Sequence, residues 1–174
     1  SNNWEMVIGL EVHAQLKTTS KLFSSSPNLF GSEPNENVNF IDSGMPGMLP
    51  VLNWACIEKA IKTGFALNFT INKHSVFERK NYFYPDLPQG YQISQFEFPI
   101  LSEGYLDIDQ SDGSTKKIRI ERAHLEQDAG KSIHDIDPKF SFIDLNRVGT
   151  PLLEIVSYPD LSSADDVVNY MSSL

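Results

Sequence analysis

Glu11, His13, Glu126, Asp128 and Glu154 are the side chains of this sequence that could share work on a metal ion or a charged substrate. All but His13 are carboxylates, a set that suits a hard cation such as Mg²⁺ or Mn²⁺, whereas Zn²⁺ usually asks for more His or Cys. Cations lie in other segments, at Arg79, Lys80 and Arg147. Carboxylates that hold a metal beside such cations equip a site for phosphoryl transfer, where both neutralise charge on the moving group. From the residues alone the set reads as a Mg²⁺-nucleotide site.

Each of these side chains must be held by an element. Along Met6 to Leu16, Ile8, Leu10, Val12, Ala14 and Leu16 alternate with Gly9, Glu11, His13 and Gln15, the pattern of a strand with one apolar face. Residues i and i+2 on a strand sit roughly 7 Å apart, so Glu11 and His13 could meet one ion. A strand's solvent face is also normally polar, and parity leaves both readings open. Tyr105 to Asp109 and Lys117 to Ile120 flank Asp112-Gly113, which predicts an antiparallel hairpin whose turn has positive φ at both central positions. Its second strand is expected to run on through Arg122 to Lys131, with His124, Glu126 and Asp128 on one side. Phe140 to Leu145 and Leu152 to Val156 read as further strands. Glu154 has apolar neighbours on both faces of its strand, so it needs a cation or an exit to solvent.

The helices are legible by periodicity and caps. Asn53 opens a helix over 54–67, with Trp54, Ile57, Ala60, Ile61, Gly64 and Phe65 at helical spacing, a Glu58 and Lys62 i,i+4 pair, and Asn68 as its left-handed terminator. Ser162 or Ser163, followed by Asp165 and Asp166, starts a last helix carrying Val167, Val168, Tyr170, Met171 and Leu174. The chain stops inside that pattern without a C-cap signal, which suggests truncation. Lys17 to Pro50, rich in Ser, Asn, Pro and Gly, reads as a long loop that is more than a connector. Arg79 to Gln95 mixes cations, aromatics, prolines and amides. It reads either as a loop gripping a flat phosphorylated ligand, with cations on phosphate and rings on a base, or as an aromatic loop packed on the domain.

Length and composition bound the rest. A chain of 174 residues with 40% hydrophobic and 21% charged residues is that of a globular domain with a real core. No apolar run approaches a membrane span and no signal-peptide pattern opens the chain, so a cytoplasmic protein is expected. Ser1 and Asn2 are set aside as an expression remnant. The single cysteine, Cys56, excludes an intrachain disulfide and a thiolate cluster, and its apolar setting points to core packing. The formal charge of -9 argues against broad phosphate neutralisation, so a nucleic-acid partner would need a basic region elsewhere.

Several blocks in order resemble the GatB family, which supplies one component of the glutamine-dependent aspartyl/glutamyl-tRNA amidotransferases. They are Val7 to His13, Arg79 to Asp86, Gly90 to Gln95, His124 to Lys131, Asp144 to Arg147 and Pro151 to Val156. The likeness runs from about Trp4 to the end, so residues 4–174 are expected to be the N-terminal part of the family's catalytic domain, without its helical and tRNA-binding tail domains. The resemblance implies an α+β fold, a mainly antiparallel β-sheet cradle related to glutamine synthetase and the guanido kinases, with packed helices.

It also implies an ATP- and Mg²⁺-dependent ligase that phosphorylates the side-chain carboxylate of Glu-tRNA(Gln) or Asp-tRNA(Asn). Ammonia from the GatA glutaminase then displaces phosphate. GatA, GatC and misacylated tRNA are the implied partners, with no membrane, and the fragment alone is expected to be inactive. The family's metal positions fall on His13, Glu126 and Glu154, then Glu11 and Asp128. Glu11, Lys80 and Arg147 are the catalytic candidates, and Lys80, Tyr82, Tyr84, Gln92, Ser94 and Gln95 would border the nucleotide. Some members carry a zinc knuckle of cysteines where this chain has Ser24, Ser26, Asn39 and Asp42, so no structural zinc is expected and the loop must be held by packing and hydrogen bonds. The competing reading is a non-catalytic scaffold that docks tRNA or the other subunits.

Overall fold

A computed structural model describes residues 3–174; Ser1 and Asn2 lie outside the described residues. β1 (Glu11–Gln15), β9 (Pro151–Ser157), β6 (Thr115–Gln127), β5 (Leu101–Asp109) and β2 (Thr70–Ile71) lie side by side in that order in one antiparallel sheet. β3 (Glu78–Asn81) with β4 (Tyr91–Ser94), and β7 (Lys131–Asp137) with β8 (Phe140–Asp144), form separate hairpins. With α1 (Trp54–Ala66) and α2 (Ala164–Ser173) the fold is α+β, built mainly of antiparallel sheet as expected. Among the described residues no helix is long and apolar enough to cross a membrane.

The core lies on one face of the large sheet. Leu101, Ala123, Leu125, Leu153 and Ile155 pack there with Cys56 and Ala60 of α1. The helix meets the sheet through small residues at a spacing of four, Cys56, Ala60 and Gly64. A Cβ on Gly64 would stand 2.6 Å from Leu101 Cδ2, so the close approach depends on its absence. Trp54 and Phe65, expected in the buried stripe, are instead 66% and 73% exposed, because the contact face centres on the small residues. Burial pushes the Cys56 thiol up to about 11, as befits a core residue. Asn53 Oδ1 accepts from Ala55 N, and Asn68 adopts a φ of 56°, as their types implied.

A second cluster, Ile108, Ile118, Leu161 and Tyr170, lies under α2. That helix is capped by Ser163, whose Oγ accepts from Asp166 N at 3.1 Å. The Asp166 carboxylate accepts in turn from Ser162 N at 2.9 Å and from Lys116 Nζ at 2.6 Å.

The strands depart from the expected bounds in ways that matter for the site. β1 begins only at Glu11; before it, Ile8 makes a lone bridge to Leu161. β6 ends at Gln127, and the chain turns through Asp128 to Gly130 into β7, so Asp128 is outside the strand. At the β5–β6 turn Gly113 alone of the pair has positive φ, 82°, and its N–H donates to Gln110 O. That is a longer loop than the one Asp-Gly predicts, with the Asp112 carboxylate spent on Ser114 N and Oγ. The ends of Arg79 to Gln95 are strands rather than loop, since they pair as β3 and β4. In β6, Ile120 pairs with Ser157 and Arg122 with Val156, so Glu121 is an extra residue, a β-bulge.

The long loop from Lys17 to Pro50 is pinned from inside. The Lys21 and Asp42 side chains are 0% and 2% exposed and lie 3.2 Å apart. Lys21 Nζ also donates to Asn37 O at 2.7 Å, while Asp42 accepts from Ser24 Oγ at 2.8 Å and Asn39 N at 3.1 Å. Ser26 contributes its carbonyl, which accepts from Lys21 N at 3.1 Å. Hydrogen bonds around one buried ion pair thus hold the segment that carries Ser24, Ser26, Asn39 and Asp42. Burial draws the Lys21 ammonium below its ordinary value against the opposing pull of Asp42.

Three expected outcomes follow. Lys21→Met should cost about 3–5 kcal/mol in denaturant unfolding, because it strands the Asp42 charge, and adding Asp42→Asn should recover part of that loss. Ser163→Ala should cost about 1 kcal/mol. The Asp166 carboxyl is held below its ordinary range by Lys116 and Ser162. Its stabilisation is therefore full above the unfolded carboxyl value and lost as pH falls through the lower folded one, an acid dependence that thermal melts of Asp166→Asn should lack.

Candidate metal and anion site

β9 is the middle of the strands that carry the site. His13 on β1 and His124 on β6 both stand opposite Glu154, so a His–Glu–His row crosses the sheet. Glu126 follows on the His124 face, opposite Leu152. His13 Nε2 lies 2.9 Å from Glu126 Oε1 and 3.3 Å from Glu154 Oε2. His124 Nε2 lies 3.1 Å from Glu154 Oε2 and 3.5 Å from Glu126 Oε2. The two carboxylates are therefore held between two imidazoles.

Mutual charge sets the ionisation of this group. A hydrogen bond from His124, stronger than the opposing effect of burial, holds the Glu154 carboxyl down at about 2. Burial works to lower His124, but the bonds and charges of Glu126 and Glu154 together outweigh it and keep the imidazole above its ordinary value. One donor atom from each of His13, Glu126 and Glu154 lies within 4.8 Å of the others. That spacing lets one ion reach all three, and two carboxylates with one imidazole fit Mg²⁺ or Mn²⁺.

The β3–β4 hairpin closes over the cluster. Ser94 Oγ donates to Glu126 Oε2 at 3.2 Å, and Gln92 Nε2 to Gln127 O at 2.8 Å. Gln95, 2% exposed, accepts from Leu125 N at 3.1 Å and Ile100 N at 3.3 Å, tying the end of β4 to β6. Between hairpin and sheet is a cavity of about 310 Å³, which Arg79, Lys80, Gln92, Ser94, Gln95, Glu126 and Glu154 help to line. Sequence-predicted residues from distant segments thus meet in one place. Arg122 and His124 line it as well. Sequence reasoning set His124 in register with Glu126 as a potential ligand but gave Arg122 no role, although its spacing from Glu126 along the same strand was the available signal.

Other predicted residues lie outside the cavity. Glu11 is exposed opposite Val156, one row from His13. Tyr82 stacks with Lys80, whose Nζ is 5.9 Å from the ring centroid, and Tyr84 is 62% exposed near the hairpin tip. Asp128 accepts from Ala129 N at 2.8 Å, and its carboxyl is raised by burial against the Arg147 charge. Arg147 donates to the carbonyls of Ala129 at 2.9 Å and Gly130 at 2.6 Å, gripping the turn between β6 and β7.

A family model described as the GatB/GatE catalytic domain matches residues 6–174. The chain belongs to the GatB/GatE catalytic domain family. It is 59% identical over 172 residues to the B component of the aspartyl/glutamyl-tRNA(Asn/Gln) amidotransferase of Dinoroseobacter shibae, covering 99% of this chain and 34% of that protein. The proteins of the same name from Caulobacter vibrioides and Rickettsia bellii are each 58% identical over 174 residues, covering all of this chain and 35% and 36% of theirs. The chain thus spans about a third of the length of these relatives. In this GatB/GatE domain Arg147 is bonded to backbone rather than facing the cavity. Arg147→Ala should accordingly lower the melting temperature, as loss of a grip on the turn between β6 and β7 would, which thermal melts can check.

Proposed function

We propose that this chain is the catalytic part of an amidotransferase subunit that uses ATP and Mg²⁺ to phosphorylate the side-chain carboxylate of Glu-tRNA(Gln) or Asp-tRNA(Asn). The observation that carries the reading is the convergence of His13, Glu126 and Glu154, from three strands, on a span that one ion can bridge, beside Arg79 and Lys80. The name its relatives bear, that of an aspartyl/glutamyl-tRNA(Asn/Gln) amidotransferase, supports the substrate class.

A carboxylate is a poor electrophile toward ammonia. A carboxylate oxygen attacks the γ-phosphorus of ATP and ADP leaves. Ammonia nitrogen then attacks the acyl carbon and inorganic phosphate departs, leaving the amide. His13, Glu126 and Glu154 would hold Mg²⁺, which supplies charge neutralisation on the polyphosphate when bound. Lys80, with Arg79, places positive charge on the same cavity, where phosphate oxygens gather. Ser94 and Gln92 keep the hairpin seated on Glu126 and Gln127 so that these groups face one another. Ammonia would come from a GatA glutaminase, with GatC as the third subunit and misacylated tRNA held largely by parts of the protein outside this chain. Within this proposal the chain works as a cytoplasmic enzyme part with no membrane partner.

In the full complex, Glu126→Gln or Glu154→Gln should abolish ATP-dependent carboxyl phosphorylation while glutaminase activity stays measurable. Wild-type amidation by either variant would refute the metal assignment. Calorimetric titration of ATP with and without Mg²⁺ separates the scaffold reading, under which nucleotide binding would show no dependence on the ion.

A further inference from the structure

Arg122 is the cation of the cavity to which the reading above gives no role, Arg79 and Lys80 being the others. It owes its direction to the bulge at Glu121. Before the bulge, Ile118 and Ile120 are core residues at 0% exposure; after it, the core residues are Ala123 and Leu125, also at 0%. An unbroken strand would put residue 122 on the Ile120 side. The extra residue shifts the parity by one and turns Arg122 to the face of His124 and Glu126, a use of bulges common beside active sites.

Its guanidinium has donors to spare. Nη1 lies 3.3 Å from Glu121 Oε1, the group sits 5.6 Å from the Phe96 ring centroid, and Nε is buried without a hydrogen-bond partner. Buried donors are rarely left unpaired, and a guanidinium offers a planar fork that matches carboxylate or phosphate oxygens. Placement agrees with that chemistry. Arg122 and Phe96 form the wall shared by the cavity of about 310 Å³ and a second of about 600 Å³, which His74, Phe98, Ser102 and Tyr158 help to line. A strand step of two residues, roughly 7 Å, separates Arg122 from His124, which itself touches both metal-cluster carboxylates.

We propose that Arg122 is an oxyanion-binding residue of this site. Its fork takes the phosphoryl group or the substrate carboxylate lying between the metal cluster and the second cavity, and the rest of that ligand extends into the second cavity. The inference rests on the phosphorylation reading given above and adds the residue that holds the reacting anion.

The test uses the full-length protein in its native complex, with Arg122→Gln, Arg122→Ala and Arg122→Lys. Amidation is followed while MgATP is varied at saturating misacylated tRNA, and then the reverse. Arg122→Gln is expected to lower kcat/KM by about 10²–10³-fold. Arg122→Lys should recover part of the loss, and added guanidinium should partly restore Arg122→Ala. A rise in KM confined to the MgATP series assigns the phosphoryl group; one confined to the aminoacyl-tRNA series assigns the carboxylate. Wild-type kcat and KM in both series for Arg122→Gln would overturn the proposal. So would a loss that neither lysine nor guanidinium relieves and that tracks a fall in melting temperature, since Arg122 would then be only a wall. If wild-type amidation needs neither ATP nor Mg²⁺, the phosphorylation reading fails, and the aminoacyl-tRNA series alone decides for or against Arg122.

Discussion

The site depends on a conflict of parity in β6 and on its resolution. The strand must send Ile118, Ile120, Ala123 and Leu125 into the core, yet also offer His124 and Glu126 to the opposite face. Strict alternation cannot satisfy both, because residues 118, 120, 124 and 126 share a parity. The bulge at Glu121 resolves this by adding one residue opposite β9. Without it, a histidine and a glutamate would be driven into apolar packing, or two isoleucines into the cavity, and either arrangement is costly.

Once the parity is set, electrostatics organises the cluster. Glu126 and Glu154 are largely buried, and neither would be tolerated there as a lone charge. His13 and His124 approach from opposite sides of β9 and supply hydrogen bonds to both. A divalent ion would draw on the same carboxylate lone pairs as these imidazoles. The group is thus a set of acceptors whose charge needs a positive partner. The Lys21 and Asp42 pair meets the same demand in the long loop, where the cation belongs to the chain itself.

Much of this was legible in the sequence, and the failures have identifiable causes. The apolar-flanked Glu154 announced its need for a partner, and strand parity on β1 and β6 put His13 and Glu126 on usable faces. The helix caps at Asn53 and Ser163 are where their residue types implied. Strict parity passed over the bulge, whose trace in the sequence is only the switch of apolar residues from Ile118 and Ile120 to Ala123 and Leu125, and which the pairing with β9 shows directly. It also carried Asp128 too far, past the end of β6, where the backbone turns. Arg147 looked like a free cation because the Ala129 and Gly130 carbonyls it donates to carry no sequence signal, and its pairing with Asp128 at 3.5 Å depends on the turn that follows β6. The Arg79 to Gln95 segment looked like loop because its aromatic tip masked the short pairing of β3 with β4 at its ends.

The strand order has a temporal side. β1 lies at the sheet edge and, among the described residues, pairs with β9 alone, so the His13 and Glu154 side chains that meet there are 141 positions apart in the chain. During synthesis at about 5–20 residues per second, the first strand therefore waits on the order of ten seconds before its neighbour exists. Closing so long a loop adds little to the equilibrium cost but slows the search. Through that interval the exposed alternation of β1 is an unpaired edge, open to other strands. Its polar face, with Glu11, His13 and Gln15, keeps one side of that waiting strand compatible with water.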